Sequence, residues 1–254
     1  MTRIVNIMPM AGLGKRFSES DFHLPKPLIT INNKPMFIQA AKSMPKSKLN
    51  IFICNKKLVE QHDIKKILSK EFKNKYRLVT VKRTTKGQAN TCLLAKKFLK
   101  KNDKIFIHSC DSLIRFDSSN LKKDLSLFKG IIYITKPNAA HIKNIKSYGW
   151  VNLKNNKINK ITCKKKASPN PKKDFVIIGT FAFQNKTTFL KLTREIIKNK
   201  QTINNEYYLD MVFKLAFENN IRIKSVKVKN YFSWGTPKEL HIWKKKFEKK
   251  TIHE

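Results

Sequence analysis

Over its first 111 residues the chain alternates short apolar runs with segments of helical period, and this alternation limits the possible folds more than any other feature. The runs are "IVNIM" (4–8), "LNIFIC" (49–54), "YRLVTV" (76–81) and "KIFIHSC" (104–110), the last ending on Asp111. Between them lie "PMFIQAAKSM" (35–44), with proline in its first turn, and a stretch over roughly 58–72 in which Leu58, Ile64, Ile67, Leu68 and Phe72 share one face. A third helical segment runs from about Gln88 to Leu99. Runs apolar on both faces and separated by helices must be covered on both sides. The pattern therefore predicts an α/β fold, a mainly parallel central sheet with helices on both faces.

Beyond Asp111, strands follow one another directly: "GIIYIT" (130–135), "GWVNL" (149–153), "KINKIT" (157–162) and "FVIIGTFAF" (175–183), with Asn155 and Asn156 where a hairpin turn belongs. This succession predicts a small antiparallel sheet. Helices over about 187–199 and 206–219, a strand "IRIKSVKV" and a C-terminal helix opened by Thr236 and Pro237 complete the chain. The lysine-dense "CKKKASPNPKKD" (163–174) reads as a mobile surface loop. With no repeat, linker or low-complexity segment, residues 1–254 are expected to form a single domain.

A chain of 254 residues with 41% hydrophobic side chains can bury a sizeable core. No apolar run approaches the roughly 18 residues of a membrane span, and the N-terminus lacks a leader pattern, so a cytoplasmic protein is expected. Cys54, Cys92, Cys110 and Cys163 are scattered without metal-ligand spacing and read as buried thiols. A net charge of +38 invites nucleic acid or an anionic membrane as partner. Only seven of the 55 basic residues are arginine, however, and the lysines are spread along the whole chain. Phosphate and base recognition favours the bidentate guanidinium, so the expectation is a positive field that draws in small anions, without specific nucleic-acid binding.

The first run leads into "PMAGLGKRF", which places Gly12 and Gly14 at the carboxyl end of a parallel strand, the edge where open α/β sheets bind ligands. Glycine there lets backbone N–H groups close on phosphate oxygens, and Lys15 and Arg16 add charge. The turn lacks the third glycine of a dinucleotide fingerprint and the ending of a P-loop. Shortly after comes "LPKPL", in which Pro25 and Pro27 fix the backbone on either side of Lys26. That suits an ammonium that must point at a fixed place.

The pair of motifs, Ala11-Gly12-Leu13-Gly14-Lys15-Arg16 and Pro25-Lys26-Pro27-Leu28, followed by Lys34-Pro35-Met36, resembles the nucleotidyltransferases that activate sugar phosphates, above all their capsule and lipopolysaccharide branch. The resemblance runs over nearly the whole chain, through "TKGQANTCLLAKKFL", "IHSCDSL", "YGWV", "IIGTFAF", "NEYYLDM" and "WGTPKEL". It implies a Rossmann-like nucleotidyltransferase fold of the glycosyltransferase A type. The implied reaction is attack of an acceptor phosphate on the α-phosphorus of a nucleoside triphosphate, with release of pyrophosphate. Ala11, Gly12, Leu13, Gly14 and Lys15 would hold the triphosphate and Gly87 and Gln88 the base. Arg16 and Lys26 would be catalytic, and Asp111 would hold Mg2+. Gly149, Gly179, Glu206 and Asp210 would line the acceptor pocket, the last two four apart on one helix. CTP, UTP and dTTP are all compatible with Gln88, and a homo-oligomer is compatible with the family. His108, one residue short of the strand end, reads as a packed side chain.

Two positions depart from the family pattern. A second metal-binding aspartate, two residues before the glycine of the G-T-P block, is here Ser233, which leaves Asp210 or a triphosphate oxygen to complete the coordination. The glutamate-lysine pair that meets acceptor hydroxyls is replaced by Lys164, Lys165 and Lys166, which favours an acceptor with extra negative charge or leaves hydroxyl reading unfilled. Two other readings compete. A metal-dependent glycosyltransferase usually carries an Asp-x-Asp pair, whereas Asp111 is followed by Ser112 and Leu113. A basic polyanion-binding module would bind without sequence preference and release at moderate salt.

Overall fold

The computed structural model describes residues 2–18 and 22–248, without the side chains of Lys15, Ser18 and residues 246–248. Its strands are β1 (Ile4–Met10), β2 (Thr30–Ile31), β3 (Lys34–Pro35), β4 (Leu49–Asn55), β5 (Tyr76–Val81), β6 (Lys104–His108), β7 (Ser112–Arg115), β8 (Gly130–Thr135), β9 (Gly149–Lys154), β10 (Lys157–Cys163), β11 (Phe175–Phe183), β12 (Ile223–Lys227) and β13 (Asn230–Ser233). The helices are α1 (Lys15–Ser18), α2 (Met36–Lys42), α3 (Lys56–Gln61), α4 (Ile64–Phe72), α5 (Gln88–Leu93), α6 (Leu121–Leu127), α7 (Ala139–Lys143), α8 (Lys186–Lys198), α9 (Leu209–Glu218) and α10 (Pro237–Glu248).

Nine strands form one mixed sheet in the order β10-β9-β11-β6-β1-β4-β5, with β8 on the free edge of β11 and β12 beyond it. The pairs β6–β1, β1–β4 and β4–β5 are parallel, as the early alternation predicts. The antiparallel part joins this sheet through β11, which runs beside β8 along its length and divides its other edge between two partners. Phe175–Ile177 pair with β9, and Thr180–Phe183 pair with β6. The change of partner falls at a bulge whose Gly179 has φ +68°, a conformation that glycine adopts without steric cost. Two small antiparallel sheets, β2–β3 and β7–β13, stand apart.

Side-chain alternation builds a core on each face. Val5, Ile7, Ile51, Ile53, Ile105 and Ile107 pack with α5, α8 and α9; Met8, Met10, Phe52, Cys54 and Phe106 pack with α2, α4, α6 and α10. Cys54, Cys92 and Cys163 are buried, and all four cysteines are free thiols. Asn155 and Asn156, at φ +51° and +58°, make the β9–β10 hairpin turn.

Several segments differ from the sequence expectation. The helix expected over 58–72 is two, because His62 is extended and breaks it between Leu58, which serves α3, and Ile64 and Leu68, which serve α4. The segment from Gln88 tightens into a 3₁₀ turn at Leu94–Phe98. Residues 163–174 are not a loose loop. Ala167 and Asp174 are buried, and the Asp174 carboxylate accepts from Asn152 Nδ2 and Ser168 N–H, both at 2.9 Å.

The helix expected from 206 begins only at Leu209, so Glu206 does not share a helix with Asp210. The preceding backbone is committed elsewhere: Glu206 bridges to Ile203, Tyr207 N–H donates to Lys86 O at 2.9 Å, and Ala89 N–H donates to Tyr207 O at 3.0 Å. Gly87, at φ +95°, fits this seam because a Cβ there would lie 2.6 Å from the Tyr207 backbone. Gly87→Ala is expected to cost about 1–3 kcal/mol in urea unfolding through strain and overpacking together. Gly12→Ala, with open space at Cβ, should leave the midpoint unchanged.

Candidate active site

β1 delivers Ala11 into the core and then opens: Gly12 and Leu13 are exposed, and Gly14, at φ +64°, turns the chain into α1, where Phe17 N–H closes on Gly14 O at 2.8 Å. Arg16 is exposed on this short helix. Lys15 opens α1, and its side chain lies outside the described atoms. Lys26 begins a 3₁₀ turn whose cap is Pro25 and whose second residue is Pro27. Its ammonium donates to Asp111 Oδ2 at 2.5 Å and to Gly235 O at 3.1 Å, and lies 5.2 Å from the centre of the Phe17 ring.

Asp111 occupies the turn between β6 and β7, and its carbonyl accepts from Trp234 N–H at 2.8 Å, so the β7–β13 sheet holds it from the far end of the chain. Burial disfavours its charge, but the Lys26 ammonium and a Ser109 hydrogen bond outweigh that and hold its carboxyl below the usual range. The two side chains remain 14% and 28% exposed, so solvent reaches the pair.

His108 is fully buried, with Nδ1 2.7 Å from Thr180 Oγ1 and Nε2 2.9 Å from Ser112 O. Burial pushes it down to about 4, so it is neutral, and the acceptor-only carbonyl requires the proton on Nε2. It pegs β6 to β11 beside the site.

Ser233 stands near Asp111, and a second carboxylate that the sequence reading missed comes with it. A Cβ at Gly235 would meet Ser233 Oγ and Glu239 Oε2 at 3.3 Å and Asp111 Oδ2 at 3.6 Å. Glu239 is anchored by Thr236 Oγ1 at 3.0 Å and faces the Tyr148 hydroxyl at 3.4 Å, whose pKa burial and this carboxylate push up to about 12. The Thr236-x-x-Glu239 spacing at a helix start was the available signal. These hard oxygens suit a divalent cation, and Asp111 already carries a positive group. Among the described residues no three His, Cys, Asp or Glu side chains converge, so such an ion needs phosphate oxygens to complete its shell, as Mg2+ commonly does.

Two cavities flank Lys26. One of about 230 Å³ is lined by Gly14, Arg16, Phe17, Lys26 and Gly235; another of about 440 Å³ is lined by Gly12, Leu13, Gly14, Lys26, Asn55 and Leu58 among others. Gly87 and Gln88 line neither, and sit where α5 packs against β1. Gly179 lies next to Ser109, on the Asp111 turn. Glu206 is exposed and meets the Tyr208 hydroxyl. Asp210 is not part of the Asp111 cluster. It sits against Gly149, where any Cβ would come within 2.6 Å of its Cγ, and beside Cys163.

Residues 6–241 match the family described as nucleotidyl transferase. The chain belongs to the nucleotidyl transferase family. It is 29% identical to the bifunctional protein GlmU of Buchnera aphidicola subsp. Schizaphis graminum over 98% of its own length and 52% of that protein's, so it spans about half the length of this relative. The fold is similar to that of the nucleoside-diphosphate-sugar pyrophosphorylase from Vibrio cholerae RC9, with TM-score 0.76 and 16% identity over 94% of this chain and 98% of that one. It is also similar to the inositol-1-phosphate CTP transferase from T. maritima, with TM-score 0.69 and 15% identity over 94% and 92%. Among the described residues no helix is long and apolar enough to cross a membrane.

Burial raises the Asp210 pKa to about 6, against the pull of Lys164. The unfolded carboxyl titrates near 4, so the folded state retains a proton that the unfolded chain has lost between about pH 4 and 6. Stability therefore falls as pH rises through that window, and the cost is fully present above it. Asp210→Asn should raise Tm at pH 7.5, by the equivalent of about 1–3 kcal/mol, and the gain should vanish by about pH 4 in thermal unfolding scans.

Proposed function

We propose that the protein transfers a nucleotidyl group from a nucleoside triphosphate, CTP, UTP or dTTP, to a phosphorylated sugar or related small molecule, releasing pyrophosphate. The observation that carries this reading is the Lys26–Asp111 pair in a cleft at the carboxyl ends of β1 and β6. Two anions must meet here, so charge neutralisation and in-line positioning provide most of the rate. Backbone amides of residues 11–14 and the Arg16 guanidinium hold the triphosphate. Lys26, released from Asp111, moves its charge to the α-phosphate or the incoming phosphate. Asp111, with Glu239 close by, would hold Mg2+, which supplies Lewis-acid neutralisation of the phosphates. The acceptor phosphate is already ionised at neutral pH, so no residue need act as a general base.

The resemblance to capsule and lipopolysaccharide enzymes supports a product that serves as an activated building block for surface polysaccharide. Residues 1–254 would act as one catalytic domain, with cytoplasmic nucleotides as donors. Pyrophosphate release measured with Mg2+, each triphosphate and a panel of sugar, polyol and choline phosphates tests the reading. Release should require one triphosphate and one acceptor together. Lys26→Met should lower kcat/KM about 10²–10⁴-fold with the circular dichroism spectrum intact. Undiminished turnover in that variant would remove the reading's centre.

A further inference from the structure

Lysines are spread along the whole chain, but acids are not. Between Asp124 and Asp174 lie 49 residues with twelve lysines, no arginine and no Asp or Glu. Asp174 itself is buried, so it does not temper the surface. The segment supplies β8, α7, β9 and β10, the antiparallel flank of the sheet. Its exposed positions include Lys136, Lys143, Lys154, Lys157, Lys160 and Lys172, and so carry charge of one sign.

The fold adds lysines from elsewhere in the chain to this patch. β12 lies beside β8 and brings Lys227 to Phe175, so that Lys227 Nζ and Lys136 Nζ stand 4.9 and 5.2 Å from the centre of one ring. Lys227 Nζ also donates to Asn156 Oδ1, in the β9–β10 turn, at 3.4 Å. On one side of this pair an open recess of about 700 Å³ is lined by Lys123, Lys224, Lys227 and Lys229. It also holds two carboxylates: Asp124, which Lys224 neutralises at 2.8 Å, and Asp117, which accepts from Ser119 N–H at 2.8 Å. On the other side Pro137 leads from Lys136 into a recess of about 520 Å³ with Lys143 and Lys172. Among the described residues none of Lys136, Lys143, Lys227 and Lys229 has a carboxylate within ion-pair distance. Like charges gathered without counter-charge repel, and an anionic surface laid against them removes that cost.

The band has a defined place relative to the cleft. β6 and β8 both run antiparallel to β11, and β12 runs parallel to β8. The ends of β8 and β12 that carry Lys136 and Lys227 therefore lie on the same sheet edge as Asp111. We propose that this lysine band docks the protein on a bilayer of anionic lipid, with the cleft beside the surface. Two observations favour lipid over nucleic acid. The segment offers only compact point charges and no arginine fork, and Tyr133, Trp150 and Phe175 are buried, which leaves bases no face there to stack on. Of the large apolar side chains exposed among the described residues only Leu127 belongs to this segment, so attachment is by charge to phosphodiester headgroups and not by insertion.

The test is co-sedimentation of the full chain with vesicles of phosphatidylglycerol and phosphatidylcholine, or of phosphatidylcholine alone, at about 150 mM salt, where surface charges act over roughly 8 Å. A net charge of +38 draws in any anion, so two variants that lose the same charge are compared. One carries Lys136→Gln, Lys143→Gln, Lys227→Gln and Lys229→Gln. The other carries Lys65→Gln, Lys66→Gln, Lys70→Gln and Lys75→Gln, at exposed positions around α4 and the start of the far edge strand β5. The expected result is that the wild-type protein and the far-edge variant bind the acidic vesicles, that the band variant loses about tenfold or more in partitioning, and that none binds phosphatidylcholine alone. Equal losses in the two variants, or none in the band variant, would overturn the proposal. Single-stranded RNA followed by fluorescence anisotropy at the same salt is the second arm. RNA bound more tightly than the acidic vesicles, and released by the band substitutions alone, would reassign the surface to nucleic acid. Should the band variant not fold, acetylation of the wild-type lysines with and without acidic vesicles, read by mass spectrometry, decides. Lys136, Lys143, Lys227 and Lys229 should be protected and Lys65, Lys66, Lys70 and Lys75 should not; uniform protection sinks the proposal.

Discussion

The ion pair between Lys26 and Asp111 ties together three distant parts of the chain, and the site depends on it. Pro25 and Pro27 restrict where the Lys26 side chain can start. The turn after β6 sets where Asp111 ends, and Trp234 and Gly235, more than 120 residues further on, close the third side through the Asp111 carbonyl and a carbonyl of their own. In a chain of net charge +38 the lysine has many like-charged neighbours and few acids to choose from. Its carboxylate partner offsets both the desolvation of the ammonium and the surrounding positive field. The exposure that remains to both groups lets an incoming polyanion compete for the lysine.

The same shortage of acids explains much of the rest. Asp174 turns a lysine-rich segment into packed structure by taking two N–H donors. Glu239 serves at once as the first-turn partner of Thr236 and as a second carboxylate beside Ser233 and Asp111. Asp210 has weaker support than these: besides its own amide it faces the Cys163 thiol at 3.9 Å, with Lys164 close enough to favour its charge. The mixed sheet matters here too. By changing partner at Gly179, β11 brings β9, β10 and Lys164 to the flank of the parallel strands that carry Asp111.

The parallel half of the sheet was legible because strands buried on both faces must be continuous apolar runs, and β1, β4 and β6 fall where those runs lie, with the half-exposed edge strand β5 in the fourth. The hairpin at Asn155-Asn156 was legible from its turn residues. The helix breaks were not. Nothing in the period of 58–72 marks His62 as extended, and Glu206 and Tyr207 look helical until their backbone is needed to close the seam with Lys86 and Ala89. Glu239 was hidden because its spacing also serves a helix cap, and local chemistry alone does not reveal what else a cap approaches.

What the sequence determined by itself was therefore local and periodic: the layered α/β architecture, the glycine turn after β1, and a lysine fixed between prolines, each set by backbone sterics or by burial within a few residues. What only the tertiary structure decided was which charges meet. Lys26 with Asp111, Glu239 beside them, and Asp210 left next to Lys164 all depend on contacts between residues 40 or more apart, and Coulomb interactions follow distance in space, which sequence spacing does not encode.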